Sequence, residues 1–571
     1  MRVNDEVAAL LQEYADLLAI TGGDAYRVRG YEKAARAVAG HSTDLARLDP
    51  DGIRAIPNVG TAIAAKIEEY LAGGSIPQVE RLRAKIPAGV RELTRVPGLG
   101  PKTAMVLYEE LDVASVDALE EAIRAGRLRG LRGFGPKTEE NLLGGISLLR
   151  EARERVSLGE ALETAERVVA ELSAIEGCRR CSYAGSLRRM KDTIGDIDVL
   201  AASRQSAPIM EAFRRLPLVD QVIASGETKT SVRTPSGARI DLRVVPPETW
   251  GAALQYFTGS KAHNIRLREI AVHRGLKLSE YGLFDAGTGE KLVSETEDDV
   301  YHRFGLPWIP PQLREDAGEI EAAQRGALPI LVTGDEIRGD LHTHTDLTDG
   351  LAPLDEMVAA AANRGYAYYA VTDHAPDLYM HRMSDEKMLD QRERIRELDG
   401  AYNDMRVLHG TELNIGPGGE VDWPAEFLAG FDVCVASVHS HFTQPRAEMT
   451  RRFVRACENP HVKILGHPTT RIIGRRPPVD VDLEEVFRAC ARTGTALEID
   501  GAPDRLDLMA DHIRLARQFG VVFAVDSDAH AAPHLDFMRY GVGTAQRGGL
   551  GADDVINTWP WERLAGFLQR R

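Results

Sequence analysis

The chain has 571 residues, 43% of them hydrophobic and 27% charged, and its formal net charge is −16 at pH 7. A chain of this length buries several cores, and length alone gives roughly three to five domains. It contains no uncharged apolar run of about 18 residues, and its start, MRVNDEVAALLQEY, resembles an acidic helix rather than a basic, cleavable signal. We therefore expect a cytoplasmic, multidomain protein without membrane spans.

The cysteine content and the acidic balance exclude two further classes. Five scattered cysteines do not form a disulfide framework. The negative average excludes a uniformly basic nucleic-acid-binding surface, but it does not exclude local basic patches, so charge is considered domain by domain.

A repeated stretch interrupts the helical pattern of the first 150 or so residues. The copies are IPNVGTAIAAKI at 56–67, VPGLGPKTAMVL at 96–107 and LRGFGPKTEENL at 131–142. Each places a glycine turn before a helix start, where free backbone amides bind phosphate. A single copy would favour an ordinary helical hairpin whose glycines merely permit the turn, but three copies resemble helix-hairpin-helix motifs that grip the DNA backbone. The DNA contacts predicted from the first two copies are Gly60, Gly98, Gly100 and Lys102.

A small α/β domain is predicted from about residue 157 to 245, and it carries three aspartates. In GDIDVL, Asp196 and Asp198 are two residues apart, so on a strand they share a face. In ARIDLRVV, Asp241 lies in the middle of a second predicted strand. If the two strands are neighbours, Asp241 adds a third carboxylate to the first two. Three carboxylates suit two magnesium ions and in-line phosphoryl transfer. The alternative, an acidic strand edge facing water, does not account for the whole set.

A turn beside these aspartates is a candidate triphosphate clamp. Gly185 and Ser186 offer backbone amides and a hydroxyl, and Arg188 and Arg189 follow with guanidinium donors.

These motifs resemble the nucleotidyltransferase core of family X DNA polymerases, the relatives of DNA polymerase beta. GSLRRMKDTIGDID and ARIDLR carry the core resemblance, and YFTGSKAHNIRLRE at 256–269 resembles the nucleotide-binding thumb segment. The resemblance covers about residues 1–315 and implies that Asp196 and Asp198 bind both of two Mg²⁺ or Mn²⁺ ions. Asp241 would bind the catalytic metal and help activate the primer 3′-hydroxyl.

The same resemblance implies a set of nucleotide contacts. Arg189 would hold the outer phosphates with Ser186, Tyr256 and Phe257 would pack against the sugar, Asn264 would reach the base and Arg268 the template strand. The full set is Gly185, Ser186, Arg189, Gly195, Tyr256, Phe257, Gly259, Asn264 and Arg268. Lys261 departs from the polymerase beta pattern, which has an acid there.

The segment AYRVRGYEKAARAV at 25–38, with the first hairpin, resembles the small domain that binds the 5′-phosphate side of a DNA gap. Lys66 then stands where that domain carries the Schiff-base lysine that removes a deoxyribose phosphate, and Arg27, Tyr31 and Lys33 are predicted DNA contacts. The alternative is that Lys66 is a solvated helix lysine near a phosphate.

Beyond Gly334 the chain alternates strand-like runs with amphipathic helices, which is typical of a β/α barrel. Twelve of the sixteen histidines fall between 342 and 534. Nearly all the candidate ligands follow a strand-like run, where barrel active sites lie, and mixed imidazole and carboxylate ligands favour zinc, manganese or iron. The candidate ligands are His342, His344, Asp349, His374, Glu412, His439, His467, Asp528 and His530.

These ligands resemble those of the PHP domain, named for polymerases and histidinol phosphatases, over about residues 335–571. The resemblance implies up to three ions: one on His342, His344, Glu412 and Asp528, a second bridged by Glu412 to His439 and His467, and a third on Asp349, His374 and His530. His441, Arg471 and Arg475 are candidate phosphate contacts. A metal site kept only for stability is the alternative to phosphoester hydrolysis.

The predicted fold is a multidomain α+β and α/β architecture, with helical helix-hairpin-helix domains, a nucleotidyltransferase palm and thumb, and a distorted β/α barrel. The predicted domains are 1–83 lyase-like, 84–150 fingers, 151–245 palm, 246–315 thumb, 316–334 linker and 335–571 PHP.

The predicted function is gap filling in base excision repair, with a PHP 3′-5′ exonuclease, abasic-site endonuclease or 3′-phosphatase. Expected partners are gapped or nicked duplex DNA and deoxynucleoside triphosphates, and the expected state is a nucleoid-associated monomer. Two alternatives stay open, a template-independent nucleotidyltransferase and a non-catalytic DNA-end-binding scaffold.

Overall fold

The computed structural model describes residues 3–41, 43–131, 133–153, 155–378 and 383–569. Within these ranges, no helix combines the length and the apolar composition that a membrane span needs.

The N-terminal region is helical and has one continuous core. Its helices are α1 Val3–Ile20, α2 Ala25–Gly40, α3 Pro50–Arg54, α4 Thr61–Gly73, α5 Pro77–Arg83, α6 Ala88–Leu93, α7 Pro101–Leu111, α8 Val116–Arg124 and α9 Pro136–Arg153. Gly60 and Gly100 are the N-caps of α4 and α7, and neither helix has a side-chain cap there. Because glycine has no side chain, neither cap residue binds the first backbone amides of its helix, as the repeated motif predicts.

The palm is an α/β unit. Its elements are β1 Val156–Ser157, α10 Leu158–Ser173, β2 Arg180–Tyr183, α11 Gly185–Arg188, β3 Thr193–Ile194, β4 Asp196–Ala202, α12 Ser206–Arg214, β5 Gln221–Ser225, β6 Lys229–Arg233 and β7 Arg239–Val245. Five strands form one sheet in the order β2-β4-β7-β6-β5. Strands β4 and β7 are parallel neighbours, and this pairing places Asp198 beside Asp241.

The thumb combines helices with a three-stranded antiparallel sheet. Its elements are α13 Trp250–Thr258, α14 Lys261–His273, β8 Leu276–Ser279, β9 Gly282–Asp285, β10 Lys291–Val293, α15 Glu297–Arg303 and α16 Glu319–Gln324. Helix α16 falls inside the segment expected to be a linker, but Ile320 and Ala323 belong to the thumb core. The expectation of a linker from 316 is therefore wrong, because these apolar residues are buried.

A buried ion cluster ties the thumb to the palm. Glu297 accepts hydrogen bonds from Arg314 at 2.7 Å and from Arg188 at 2.7 and 2.8 Å. Burial alone would raise the pKa of Glu297, but Arg314 and Arg188 outweigh it and lower this pKa to about 2. Arg314 is fully buried, so its charge depends on Glu297 for compensation.

Glu297→Gln is expected to lower the free energy of unfolding of the thumb by about 3 kcal/mol at neutral pH, because it leaves buried Arg314 without a carboxylate. The depressed pKa means that this stabilisation is complete above about pH 4.5 and is lost as the pH falls through about 2. Denaturation followed by fluorescence of Trp308, whose indole contacts Glu297, measures the difference. Glu290→Gln, at an exposed position, is the control; a difference from wild type that stays constant down to pH 2 would contradict the assignment.

The C-terminal region is a parallel barrel that is nearly closed. Its elements are β11 Gly339–Asp340, α17 Leu354–Asn363, β12 Tyr368–Val371, α18 Asp385–Ala401, β13 Arg406–Asn414, α19 Ala425–Leu428, β14 Val433–Ser437, α20 Arg446–Cys457, β15 Val462–Leu465, α21 Leu483–Thr493, β16 Ala496–Asp500, α22 Ala510–Arg517, β17 Phe523–Asp526, α23 Met538–Arg547 and α24 Trp561–Leu568. The seven strands are ordered β11 to β17 without a crossover, and a bridge between Thr343 and Ala529 links the two ends.

Alternating residues of the barrel strands enter two different cores. Tyr368 and Ala370 pack with residues of α24, whereas Tyr369 and Val371 pack in the larger core with the surrounding helices. Both faces are buried, which explains why these strands are continuously apolar in sequence.

The barrel packs directly on the palm. Leu506 and Tyr540 of the barrel lie in the same hydrophobic cluster as the palm residues. Ion pairs reinforce this contact: Arg471 pairs with Asp192 at 2.9 Å, and Arg539 pairs with Glu166. The polymerase-like and barrel regions therefore share one buried interface.

Candidate active sites

The palm aspartates lie on two adjacent parallel strands, with Asp196 exposed and Asp198 partly buried on β4. Asp241 on β7 is 9% exposed, and its carboxylate pairs with Lys229 and Arg239, each at 2.9 Å. The three carboxylates do not form a group within 4.8 Å, since Asp241 is directed to its cationic partners.

The electrostatics of this cluster suit divalent cations. Burial, followed by the negative charges of Asp241 and Asp196, raises the pKa of Asp198 to about 6. Burial alone would raise the pKa of Asp241. Its contacts with Lys229, Ser231 and Arg239 outweigh this effect and lower the pKa. A divalent ion would relieve the repulsion felt by Asp198, so the donor set fits the predicted pair of magnesium ions.

The glycine–serine turn abuts the aspartates. Gly185 has a φ of +62°, and a Cβ atom there would lie 2.1 Å from Oδ2 of Asp198, so this position requires glycine. Ser186 is half-buried, and the loop residue Gly195 directly precedes β4. Arg189 donates from Nε to Glu315 at 3.0 Å and from a terminal nitrogen to the carbonyl oxygen of Thr258 at 2.5 Å.

The thumb residues predicted to contact nucleotide cluster where α13 ends and α14 begins. Tyr256 and Phe257 are half-buried and pack edge to face with centroids 5.2 Å apart. Asn264 is 7% exposed and donates to the carbonyl oxygen of Tyr256 at 2.7 Å. The amide of Asn264 is thus held within the thumb, while Arg268 is exposed and Gly259 forms the turn between the helices with a φ of +72°.

Lys66, the lysine of the predicted lyase site, is buried and not solvated. Lys66 is 9% exposed, and its ammonium lies 5.6 Å from the ring centroid of Tyr14 and 6.0 Å from that of Tyr31. The structure therefore disagrees with the alternative of a solvated helix lysine. Tyr31, a predicted DNA contact, is only 4% exposed, whereas Arg27 is exposed and donates to the Tyr14 hydroxyl at 3.1 Å.

The remaining predicted DNA contacts are accessible. Lys33 is half-buried on α2. The other four are exposed: Gly60, Gly98, Gly100 and Lys102.

All nine predicted barrel ligands converge at the carboxyl ends of the strands. Three groups have donor atoms within 4.8 Å of one another: His344, Asp349, His374 and His530; His342, His344 and Asp528; and His374, Glu412 and His439. His467 joins them through a 2.9 Å contact between its Nε2 atom and Glu412. The carboxylate of Glu412 lies between five histidines from four strand ends, so it has the geometry of a bridging ligand.

The donor atoms of this cluster fit metal ligation. Nε2 of His342 and both ring nitrogens of His344 are buried without a hydrogen-bond partner among the described residues. Buried polar atoms of this kind are costly unless a ligand satisfies them. Burial, and then the positive charge of Arg505, lower the pKa of His467 to about 3, which keeps its imidazole in the neutral, ligating form.

The sequence interpretation missed residues that orient the ligands. Glu498 on β16 accepts from Nδ1 of His342 at 2.6 Å, and the side-chain oxygen of Asn414 lies 2.8 Å from Nδ1 of His439. Asp373 binds the loop before Asp349 through the backbone and hydroxyl of Thr345 at 2.9 and 2.6 Å. These polar residues lie within or beside apolar strand segments, and Glu498 lies in the middle of β16, so no sequence signal indicated their role.

The predicted phosphate contact Arg471 lies in the barrel–palm interface. Arg471 donates to the carbonyl oxygens of Arg505 and Leu506 and pairs with palm Asp192. These bonds commit its guanidinium to the barrel–palm interface, which sequence spacing did not indicate. His441 and Arg475 are exposed.

Glu498→Gln is expected to weaken metal binding by the barrel roughly 10- to 100-fold, because an amide orients His342 less firmly than a carboxylate does. Metal content after dialysis against graded chelator, with Glu484→Gln on the exposed face of α21 as the control, measures the change. Equal metal retention by both variants would contradict an orienting role.

The two centres define a class: an enzyme with a nucleotidyltransferase palm and a separate barrel that carries a cluster of candidate metal ligands. Family models match in the same arrangement: a helix-hairpin-helix domain at 2–76, a tandem helix-hairpin-helix at 90–145, a DNA polymerase beta thumb at 253–315 and a PHP domain at 340–502. These matches agree with the predicted order of the domains.

The chain is similar along almost its whole length to a bacterial protein whose name gives two activities. It is 35% identical over 568 residues, 99% of both chains, to "DNA polymerase/3′-5′ exonuclease PolX" of Bacillus subtilis. It is 29% identical over 322 residues to DNA polymerase lambda of Rattus norvegicus, covering 51% of this chain and 53% of that one. The barrel is 29% identical over 236 residues to a probable phosphatase of Syntrophotalea carbinolica, covering 38% of this chain and 90% of that one. The chain therefore belongs to the family X DNA polymerases that carry a C-terminal PHP domain.

Proposed function

We propose that this protein is a DNA-directed DNA polymerase that fills short gaps in base excision repair, and that its PHP domain is a metal-dependent 3′-5′ exonuclease. The observation that carries the polymerase assignment is the β4–β7 register, which sets Asp198 beside Asp241 next to the glycine–serine turn. The partners proposed are gapped or nicked duplex DNA and deoxynucleoside triphosphates, with a monomeric protein acting in the cytoplasm at the nucleoid.

In the proposed synthesis, the turn at Gly185 and Ser186 and the guanidinium of Arg189 bind the triphosphate. Tyr256 and Phe257 support the sugar, and Asp241 orients the primer end. Two magnesium or manganese ions, when bound by the aspartates, supply charge stabilisation for an in-line displacement. Burial and the neighbouring carboxylates raise the pKa of Asp198 to about 6, so this carboxyl group would have to be deprotonated in order to hold a metal ion.

In the proposed hydrolysis, the nine barrel residues hold up to three zinc, manganese or iron ions, and Glu412 bridges two of them. Glu498 and Asn414 keep the imidazoles of His342 and His439 in their ligating orientation. Ions of this kind supply hydroxide near neutral pH and polarise a phosphoester. The exonuclease is favoured because the DNA-binding hairpins lie on the same chain, and phosphatase activity is the second candidate because the barrel is similar to a probable phosphatase.

A time course on a 5′-phosphorylated one-nucleotide-gap duplex tests both proposals. The primer carries a 5′ label, and the complementary deoxynucleotide is either present or withheld, with magnesium or manganese. We expect templated extension with nucleotide and primer shortening without it. Extension without shortening would redirect the barrel to abasic DNA or small phosphoesters, assayed with p-nitrophenyl phosphate. Addition that ignores the template would favour a terminal nucleotidyltransferase, and gap binding without turnover would favour a scaffold.

We further propose that Lys66 gives the N-terminal domain 5′-deoxyribose-phosphate lyase activity. Lys66→Ala is expected to reduce borohydride trapping on pre-incised abasic DNA at least about tenfold, because the nucleophilic amine is lost. Lys85→Ala, at an exposed lysine just beyond the lyase-like domain, is the control. Undiminished trapping by Lys66→Ala would assign the adduct to another amine.

A further inference from the structure

One carboxylate joins the palm, the thumb and the PHP barrel. Glu315 accepts hydrogen bonds from Arg189 of the palm at 3.0 Å and from Arg547 of the barrel at 3.0 Å. The ammonium of Lys191 lies 3.8 Å from its second oxygen. Burial alone would raise the pKa of Glu315, but Arg189 and Arg547 outweigh it and lower this pKa, so the carboxylate is ionised.

Arg547 also contacts the main chain of the residue that it faces. The same terminal nitrogen that binds Glu315 donates to the carbonyl oxygen of Arg189 at 2.8 Å. Arg547 is the last residue of α23 and is 5% exposed, so its guanidinium is committed to this contact rather than to solvent. The barrel therefore holds both the backbone and, through Glu315, the side chain of Arg189.

The count of charges at this junction matters for anion binding. Arg189 and Arg547 both bind Glu315, and Lys191 lies 3.8 Å from it, so this carboxylate does not pair with Arg189 alone. The carboxylates of Asp198 and Asp192 also act on Arg189 and Arg547, respectively. Without Arg547, Glu315 would have only Arg189 and the more distant Lys191 as partners, and its stronger pairing with Arg189 would compete with an incoming triphosphate.

We propose that Arg547 of the PHP barrel is a positioning residue of the polymerase site, which keeps Arg189 oriented and incompletely neutralised for binding the triphosphate. The inference rests on the proposed function, because it takes Arg189 as a triphosphate contact. It makes the barrel part of the nucleotide site and not only a separate hydrolase.

The test compares Arg547→Ala and Arg547→Lys in the full-length protein by steady-state gap filling. Arg547→Ala is expected to raise the KM for the deoxynucleoside triphosphate about tenfold, with kcat changed by less than about threefold. Arg547→Lys is expected to be intermediate, because lysine replaces the charge but not the fork of donors. Primer shortening by the barrel is expected to stay unchanged, since Arg547 is not among its ligands.

Arg539→Ala is the matched control for loosening the interface. Arg539 lies on the same helix and pairs with Glu166 of the palm. None of its hydrogen bonds or ion pairs among the described residues reaches Arg189 or Glu315. Thermal melts establish that both variants fold. An equal rise in KM for Arg539→Ala and Arg547→Ala would overturn the inference, because general loosening would then explain it.

Arg189→Ala separates failure of the inference from failure of the proposed function. A raised KM in Arg189→Ala together with a normal KM in Arg547→Ala would sink the positioning role alone. A normal KM in Arg189→Ala would remove the triphosphate role of Arg189 and with it the basis of the inference. The double variant Arg189→Ala/Arg547→Ala is expected to resemble Arg189→Ala, since Arg547 acts through Arg189.

Discussion

Asp198→Ala is expected to reduce templated nucleotide addition by roughly a thousandfold or more, while primer shortening by the barrel continues at the wild-type rate. Asp198 lies on β4, two residues after the exposed Asp196. Its carboxylate lies against Gly185 of the glycine–serine turn, and Asp241 is its partner on β7. Its loss removes a ligand from the proposed metal pair and leaves Asp241 with Lys229 and Arg239. Single-turnover gap filling with saturating nucleotide measures the effect.

Asp220→Ala is the matched control, because this exposed palm residue carries the same charge outside the proposed site. Its expected rate is that of wild type. If Asp198→Ala abolished both synthesis and shortening in folded protein, two separable centres would be refuted. Retained synthesis would place the catalytic carboxylates elsewhere.

His344→Ala is expected to have the opposite effect, a loss of primer shortening of roughly a thousandfold with normal synthesis. His344 belongs to two of the three clustered ligand groups, and neither of its ring nitrogens has a hydrogen-bond partner among the described residues. Its removal therefore withdraws a donor from two neighbouring ion positions. Exonuclease rates and metal analysis of the purified protein measure the two consequences.

His273→Ala, at an exposed position on thumb helix α14, is the control for this substitution. It should leave the metal content and both rates unchanged. A His344→Ala protein that kept its full metal content but lost hydrolysis would mean that His344 contacts the substrate. One that lost metal but kept hydrolysis would show that the ions serve only stability.

Motifs with local geometry were predictable from the sequence. Asp196 and Asp198 share a face because strand side chains alternate, and the barrel ligands follow apolar runs because parallel strands end at one edge. The glycines of the hairpins likewise predicted the positions where helices begin, at Thr61 and Pro101. These features depend on neighbours in the chain, so composition and spacing reveal them.

Long-range contacts were not predictable in this way. The sequence predicts a linker over 316–334, yet Glu319 is buried and pairs with His263. The preceding Arg314 is also buried and pairs with Glu297. Charged residues are buried only where a distant partner compensates them, and their composition does not reveal that partner.

By itself, the sequence determined the two chemistries, since aspartates on a strand and histidines at strand ends carry their ligand character locally. Only the tertiary structure decided how the two centres are joined. The contact of Arg547 with Glu315 and Arg189 links residues 232 and 358 positions apart. Such pairs are created by packing of the barrel on the palm, and each partner alone has the pattern of an ordinary charged residue.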